Sequence, residues 1–393
     1  MSFGGSESFA LWTLDALKHD YRIALVAGGV IDLPTLNNFY GTSIDPGECE
    51  TVELKLPWPL GRVEWGAALR GAFLHRSMRH RLDRFDVLIS AYNVCDFGRP
   101  GIHHLADFSW DETLRRHYDP PPQGLRRMLH CNRQLRHGYL ALTKLVAGQQ
   151  RKDKPANPGL ILANSIWSKG LLRERYGIDS DVVYPPVMIQ GIGTSPERKR
   201  RNFVSLGRIY PEKRIEQIVE IIKAVRGRGH DITLHIIGDT GETAYGRKLE
   251  HLCRAQGNWI VLAGRQFGEA KARLLSEAAY GIHARPGEAF GIAIAEMIIA
   301  GCITFVPAEG GPAEIVDHNP ALVYGSPDEA IEKIDSMLKN RSLEAATRAF
   351  LEHRAQRFSA ESFMRDIRHI VDKFVDSRLQ VMRGRLAEPT NEG

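Results

Sequence analysis

Short apolar runs separated by helix-length amphipathic stretches recur along this chain, and that alternation restricts it to few folds. In the first half the runs are residues 23–27, 87–90, 160–163 and 182–184. In the second half they are residues 203–206, 234–237, 259–262, 281–283 and 303–306. Runs without polar alternation fit strands buried on both faces. Strands that alternate with helices build βαβ units and a doubly wound parallel sheet. The fold class is therefore α/β.

The alternation is interrupted once. Between residues 185 and 201 stand Pro185, Pro186, Gly191, Gly193 and Pro196, followed by Glu197-Arg198-Lys199-Arg200-Arg201. A stretch rich in proline, glycine and charge reads as a linker. At 393 residues the chain has room for a domain on either side of it. The expected division is 1–186 for a first domain, 187–200 for the linker, 201–357 for a second domain, 358–380 for a last helix and 381–393 for a frayed tail. That helix carries Phe363, Ile367, Ile370, Val371 and Phe374 at helical spacing and is expected to return to the first domain. Another amphipathic stretch, with Phe9, Leu11, Trp12, Leu14 and Leu17, lies near the start.

Composition excludes several classes. Hydrophobic residues make up 43% and charged residues 25%, the balance of a soluble globular protein. The five cysteines include no C-x-x-C pair, which argues against a disulfide framework and a structural zinc site and suits the cytoplasm. No apolar run is long enough to span a bilayer, and no signal-peptide pattern opens the sequence. A soluble or peripheral protein is expected. The net charge of +5 suits a solvated surface or an anionic partner equally.

Two motifs carry chemistry. Residues 285–301 read Arg-Pro-Gly-Glu-Ala-Phe-Gly-Ile-Ala-Ile-Ala-Glu-Met-Ile-Ile-Ala-Gly. They follow an apolar run and open a helix, whose first-turn N–H groups and dipole favour an anion. Gly287 and Gly291 allow close backbone approach, and Glu288 and Glu296 flank the helix start. One carboxylate can hold the sugar hydroxyls and the other the ribose of a sugar nucleotide, with the diphosphate between them. The second motif is Gly207-Arg208-Ile-Tyr-Pro211-Glu-Lys213, between a strand and a helix. Arg208 and Lys213 then stand at the carboxyl edge of the sheet, a guanidinium fork and a compact ammonium for phosphate oxygens. Either motif alone reads as readily as surface glutamates or solvated loop cations. Together they are complementary to one ligand.

Gly-Arg-x4-Lys, then Glu-x7-Glu, then Gly310-Gly311-Pro-Ala-Glu-Ile-Val316, in that order, resemble the donor domain of family 4 glycosyltransferases. Ile237-Gly238-Asp239 and Leu262-Ala263-Gly264-Arg265 are similar to further segments of that domain, the latter meeting the base. In the first domain, Gly4-Gly5-Ser6-Glu7 resembles the family's Gly-Gly-Ala-Glu loop, which approaches the donor phosphates and the acceptor. The family begins with a strand before that loop, and only three residues precede it here, so either a first sheet lacking its first strand or a truncated start is expected. The family often places a histidine in the cleft after a mid-domain strand. His103 is the favoured match and His104 the alternative, both expected in a loop. Ile282-His283 followed by Glu288-Ala-Phe-Gly-Ile is similar to the dolichol-linked oligosaccharide mannosyltransferases in particular.

The resemblance implies the GT-B fold, two Rossmann-like domains facing a cleft, and transfer with retention of anomeric configuration. It implies a nucleotide-sugar donor, GDP-mannose ahead of a UDP-sugar, and a glycan or lipid-linked acceptor. The implied site comprises His103 and Glu288 as catalytic groups. Gly5, Arg208, Lys213, Arg265, Phe290, Gly291, Ile292 and Glu296 hold the donor. No cofactor and no metal are expected. The one D-x-D, Asp179-Ser180-Asp181, precedes a strand and so falls at the wrong edge of the sheet. Nucleic-acid stacking motifs are absent. The rival readings are a nucleotide-sugar epimerase of the same fold, and a non-catalytic anion- or membrane-binding protein.

Residues 65–84 are expected to form one basic helix. In that helix Trp65, Leu69, Ala72 and Phe73 share a face, Leu74, Met78 and Leu82 share another, and Arg70, Arg81 and Arg84 fall between them. Such a helix either packs on the sheet by its apolar residues with its arginines solvated, or docks its basic face on an anionic bilayer on the cytoplasmic side.

Overall fold

The computed structural model describes residues 4–55, 67–78, 81–120, 133–147, 159–189, 199–241 and 243–387. Its strands are β1 (Ile23–Ala27), β2 (Cys49–Glu53), β3 (Ile89–Ser90), β4 (Gly101–Leu105), β5 (Gly159–Ala163) and β6 (Asp181–Val182) in the first half. In the second half they are β7 (Lys199–Leu206), β8 (Thr233–Ile237), β9 (Ile260–Gly264), β10 (Ala278–Ile282), β11 (Ile303–Pro307) and β12 (Val323–Tyr324). Every pairing between them is parallel.

The second half is one six-stranded sheet in the order β12-β11-β10-β7-β8-β9. The chain winds outward from β7 to β9, returns to the centre at β10 and winds out the other way. Its core is dense: Phe203, Val204, Leu234, Tyr280, Ile282, Ile303 and Phe305 are fully enclosed. Phe203 stacks on Tyr280 at 4.9 Å between ring centroids. The Ile215–Gly227 helix buries Ile218, Val219, Ile221, Ile222 and Val225 against the sheet, the 3.6-residue stripe its sequence dictates.

The first half divides into a two-stranded sheet, β1-β2, and a four-stranded sheet, β3-β4-β5-β6. The Gly5–Leu17 helix joins them through its side chains. Leu11 and Leu14 pack with Leu33, Leu36 and Ile44 on the β1 side. Phe9 and Trp12 pack with Ile102, Leu162 and Val183 on the other. Gly5, Ser6 and Glu7, expected in a loop, form the first turn of this helix.

The last helix, Ala360–Ala387, returns to the first half, as its apolar stripe predicts. Phe363, Ile367 and Val371 are buried beside Phe9 and Trp12. Arg368 Nε donates to the Ala16 carbonyl at 2.6 Å, and Tyr21 Oη to Asp372 at 2.5 Å. The Gly5–Leu17 and Ala360–Ala387 helices thus share one layer.

The expected single helix over 65–84 requires correction. The helix is Ala67–Met78, and a separate 3-10 turn, Leu82–Arg84, follows. That turn puts Leu82 into the core at 6% exposure before β3 begins. Arg70 therefore shares no helix with Arg81 or Arg84, and Trp65 lies outside the described residues.

Removing the Phe363 ring tests the return of the last helix. The side chain is 2% exposed and meets Phe9 edge-on at 5.4 Å. Phe363→Ala is expected to cost about 3–5 kcal/mol. Urea titration followed by tryptophan fluorescence should show the earlier midpoint, and an unchanged midpoint would remove this contact from the core.

Candidate active site

Strand order reverses between β7 and β10, so their carboxyl ends lead the chain to opposite sides and leave a crevice. Open α/β sheets bind their ligands at that point. Both chemical motifs begin there, Gly207 directly after β7 and His283 directly after β10.

Arg208 is exposed, with its guanidinium 5.5 Å from the Tyr210 ring centroid. Pro211 opens a single 3-10 turn, Pro211–Lys213, with Lys213 on its last position. Arg214 then takes left-handed angles (φ 51°, ψ 44°) before the next helix. A non-glycine residue holds such angles only where its surroundings fix it. Here Arg214 Nη2 donates to the Tyr118 carbonyl of the first half at 3.0 Å. Lys213 is not the solvated loop cation its sequence context suggested. Its side chain is 15% exposed, and Nζ donates to both carboxylate oxygens of Glu288, at 2.8 and 2.9 Å.

Glu288 sits in a turn locked on both sides. Gly287 has φ +64°, and a Cβ there would stand 2.4 Å from the Tyr118 ring, so glycine is required twice over. The Glu288 carbonyl accepts from Gly311 N at 2.8 Å, and the Glu309 carbonyl accepts from Gly287 N at 3.0 Å. On its remaining side the carboxylate meets His283 Nε2 at 2.7 Å. Burial alone would raise this carboxyl. The Lys213 ammonium, then His283 and Arg285, outweigh it and hold Glu288 well below the usual carboxylate range. Burial keeps His283 below the ordinary imidazole value despite the pull of Glu288.

Glu296 lies on the Ile292–Ile299 helix, with Oε1 2.8 Å from Lys271 Nζ. That helix starts at Gly291 (φ +108°) with no side-chain cap. The Gly5–Leu17 helix likewise starts without one. The two uncapped ends approach each other across the crevice: a Cβ on Gly5 would lie 3.0 Å from Ile292 Cδ1. Arg265 lies over the Phe267 ring at 4.6 Å, and Phe267 meets Phe39 of the first half at 5.3 Å. Phe290 does not present its ring to the crevice. It is 3% exposed and packs with Tyr184 and Phe358.

The histidine pair lies in a strand, not in a loop. His103 and His104 are central in β4, 1% and 2% exposed. Alternation along the strand sends them to opposite faces. His103 stacks on Phe97 at 5.0 Å, and its Nδ1 accepts from Cys95 N at 3.3 Å. His104 stacks on Phe9 at 3.9 Å with Nδ1 near the Ala91 carbonyl, and burial brings its pKa down to about 4. The run Gly101-Ile-His-His-Leu is polar at its centre, which hid the strand.

Several residues of the crevice were not singled out from sequence. Tyr118 donates through its hydroxyl to Glu309, and Asp119 pairs with Arg285 at 3.0 Å, so the first half rests on the turn that carries Glu288. The Glu314 carboxylate, 4% exposed, accepts from Ile166 N at 2.8 Å, from Trp167 N at 3.2 Å and from the Tyr184 hydroxyl. Ser165 Oγ donates to the Ala289 carbonyl at 2.6 Å. None of these pairs has a short-range sequence signature, because each joins residues more than a hundred positions apart. Among the described residues no group of three or more His, Cys, Asp or Glu side chains is placed to hold a metal ion. Asp181 is exposed at the first residue of β6, at the amino edge.

Residues 193–354 match the model of the family described as glycosyl transferases group 1. Among curated proteins, the chain is 23% identical over 244 residues to GDP-Man:Man(3)GlcNAc(2)-PP-Dol alpha-1,2-mannosyltransferase of Dictyostelium discoideum, covering 56% of this chain and 48% of that protein. It is 28% identical over 228 residues to the mouse protein of the same name, covering 52% and 46%. The chain thus spans about half the length of these relatives. Among solved structures, it is similar to WaaG, a glycosyltransferase involved in lipopolysaccharide biosynthesis, with TM-score 0.64, 16% identity and coverage of 93% and 95%. It is similar also to HepE of Anabaena, solved with UDP and glucose, with TM-score 0.66, 18% identity and coverage of 94% and 96%. The fold is GT-B.

The Lys213–Glu288 pair yields a stability test. Lys213→Met removes a charged bond from a largely covered carboxylate and is expected to cost about 1.5–3 kcal/mol. Arg208→Ala, on an exposed side chain, is expected to stay within about 0.5 kcal/mol of the parent. Glu288 titrates lower in the folded chain than in the unfolded one. The pair's contribution is therefore present above the ordinary carboxyl value of 4.5 and is lost as pH falls through the depressed folded value. Denaturant titrations of both variants at neutral and acidic pH check this, and equal stability of the two at neutral pH would refute it.

Proposed function

We propose that this chain, whose residues 193–354 match the model of the glycosyl transferases group 1, moves a hexose from a nucleotide-sugar donor to a glycan or lipid-linked acceptor with retention. The observation that carries the reading is the crevice at the β7/β10 switch point. There Glu288 is held beside Lys213, two uncapped helix ends converge, and Glu296 stands on one of those helices. The names of the mannosyltransferase relatives favour mannose and a GDP donor.

The chemistry follows from the charges. As the bond at the anomeric carbon breaks, negative charge grows on the leaving phosphate and positive charge on the sugar. Lys213, exposed Arg208 and the N–H groups at Gly291 and Ile292 oppose the first. The Glu288 carboxylate binds sugar hydroxyls beside the second. Glu296 takes the ribose hydroxyls, and Lys271 sets its orientation. Arg265 and Phe267 border the base. The cationic and backbone donors supply the electrostatic work with protein groups alone. His103 and His104 lie enclosed in β4, stacked on Phe97 and Phe9. A separate acceptor distinguishes this reading from an epimerase, which would convert the donor by itself.

Screening UDP-, GDP- and ADP-sugars for thermal stabilisation is the direct test. At least one sugar nucleotide is expected to raise the Tm, with a GDP-sugar foremost. Glu296→Gln is expected to weaken binding of donor and free nucleoside diphosphate alike, since ribose is common to them. Glu288→Gln is expected to lower transfer more than nucleoside diphosphate binding. No stabilisation by any donor would overturn the proposal, and the same pattern in both variants would overturn the division of roles.

A peripheral membrane site is the second part of the proposal, and one surface supports it. No helix among the described residues is long and apolar enough to cross a membrane. The Ala67–Met78 helix packs on the Arg133–Ala147 helix, which exposes Leu135 at 42%, Leu142 at 48% and Leu145 at 73%. Spacings of seven and three put these leucines on one face. Exposed Arg76, Arg81 and Arg84 belong to the same half. Apolar insertion together with about 1 kcal/mol per cation gives reversible, salt-sensitive attachment. Sedimentation with vesicles of graded anionic content is expected to show binding that rises with anionic lipid. It should fall on Leu142→Ser with Leu145→Ser, or on reversal of Arg76, Arg81 and Arg84. Binding indifferent to anionic content and to both sets of changes would sink the idea.

A further inference from the structure

His283 is buried at 3% exposure directly after β10, and its Nε2 lies 2.7 Å from Oε2 of Glu288. Despite that distance, no aligned hydrogen bond reaches the nitrogen. A buried polar nitrogen this close to a carboxylate without a bond in line with it calls for a cause. The cause lies on the far side of Glu288, where Lys213 Nζ engages both carboxylate oxygens. The carboxylate is committed to the lysine and stands out of line with the imidazole.

We propose that His283 is a positioning residue for Glu288 and competes with Lys213 for its carboxylate. The inference rests on the reading of Lys213 as a phosphate-binding group and Glu288 as a sugar-binding group. When a diphosphate enters between the uncapped helix ends, Lys213 turns to it. Glu288 gives up the lysine and comes into line with Nε2–H of His283. The imidazole then fixes the carboxylate at the moment the sugar arrives beside it. An empty site keeps its buried carboxylate neutralised by lysine, and a loaded site keeps it hydrogen-bonded by histidine. A carboxylate left with neither partner would be costly at this depth.

The surroundings of the ring favour the exchange. The charged groups facing His283 are Glu288, Lys213 and Arg285, and the Tyr324 hydroxyl is bonded to the His283 carbonyl. The lysine is the one that leaves, so the loaded state strengthens the hold of the ring on its proton.

The test uses the full chain with His283→Phe, which keeps the ring volume and removes the donor, and His283→Gln, which keeps an N–H at similar reach. His283→Phe is expected to lower kcat by about ten-fold or more while changing the Kd of GDP or UDP by less than about two-fold. His283→Gln should recover most of the loss. Nitrogen-15 histidine NMR of the unaltered chain is a readout independent of activity. GDP or UDP, whichever binds, should move the His283 Nε2 resonance to that of a hydrogen-bonded donor, and Lys213→Met should move it without nucleotide. Full kcat in His283→Phe, equal losses in both variants, or a resonance unmoved by bound nucleotide would overturn the inference. If the unaltered chain binds neither GDP nor UDP, the functional reading itself falls, and the inference with it.

Discussion

The parallel pairing of β7 with β10 is the constraint from which the site follows. These strands are neighbours in the sheet although three crossovers of chain separate them, with Tyr280 opposite Phe203 and Gly281 opposite Val204. Two loops far apart in sequence therefore leave the sheet side by side. One delivers Lys213 and the other delivers Glu288, and the ion pair between them is the product of strand order. Aromatic stacking of Phe203 on Tyr280 and Phe305 fills the layer beneath. Without that layer the loops would have no common floor.

The pairing also explains which features could be read from sequence. β9, β10 and β11 are nearly continuous apolar runs, and β7 and β8 carry mainly apolar runs at 203–206 and 234–237, so their existence and parallel class follow from composition and period. Gly207, Pro211, Gly287 and Gly291 were readable because backbone geometry demands those residue types locally. β4 was not readable, because His103 and His104 occupy its centre and only stacking on Phe97 and Phe9 makes their burial tolerable. β2, Cys-Glu-Thr-Val-Glu, was missed because three of its five residues face solvent. Two partners of the key glutamates were not legible for another reason. Lys271 carries no motif of its own, and His283, although part of the Ile282-His283 segment, shows its contact with Glu288 only once β10 and the loop after it are folded. The helix over 65–84 was overextended because periodicity cannot see the buried demand of Leu82, which ends it in a separate turn.

Burial of charge gives the second half much of its character. Glu288, Glu296 and Glu314 each lie largely out of water, and each is matched by donors rather than left to protonate. The matches differ in kind. Glu288 has an ammonium, with an imidazole close beside it, Glu296 an ammonium, and Glu314 backbone amides and a phenol. The two ammonium groups are flexible side chains that a ligand can draw away. The third match is fixed backbone that a ligand cannot move.

That difference fixes how the two halves can move past each other. Glu314 belongs to the second half, and the amides it binds, Ile166 N and Trp167 N, open a helix of the first half. A rotation whose axis runs through this carboxylate leaves its bonds whole. A rotation about any distant axis strips a nearly enclosed anion of every donor it has. Glu314 therefore acts as a pin. The opening motion that would cost these bonds least swings about one end, in the manner of a pair of tongs, parting the contacts of Tyr118 and Phe39 and keeping the joint at residues 165–167 and 314 closed.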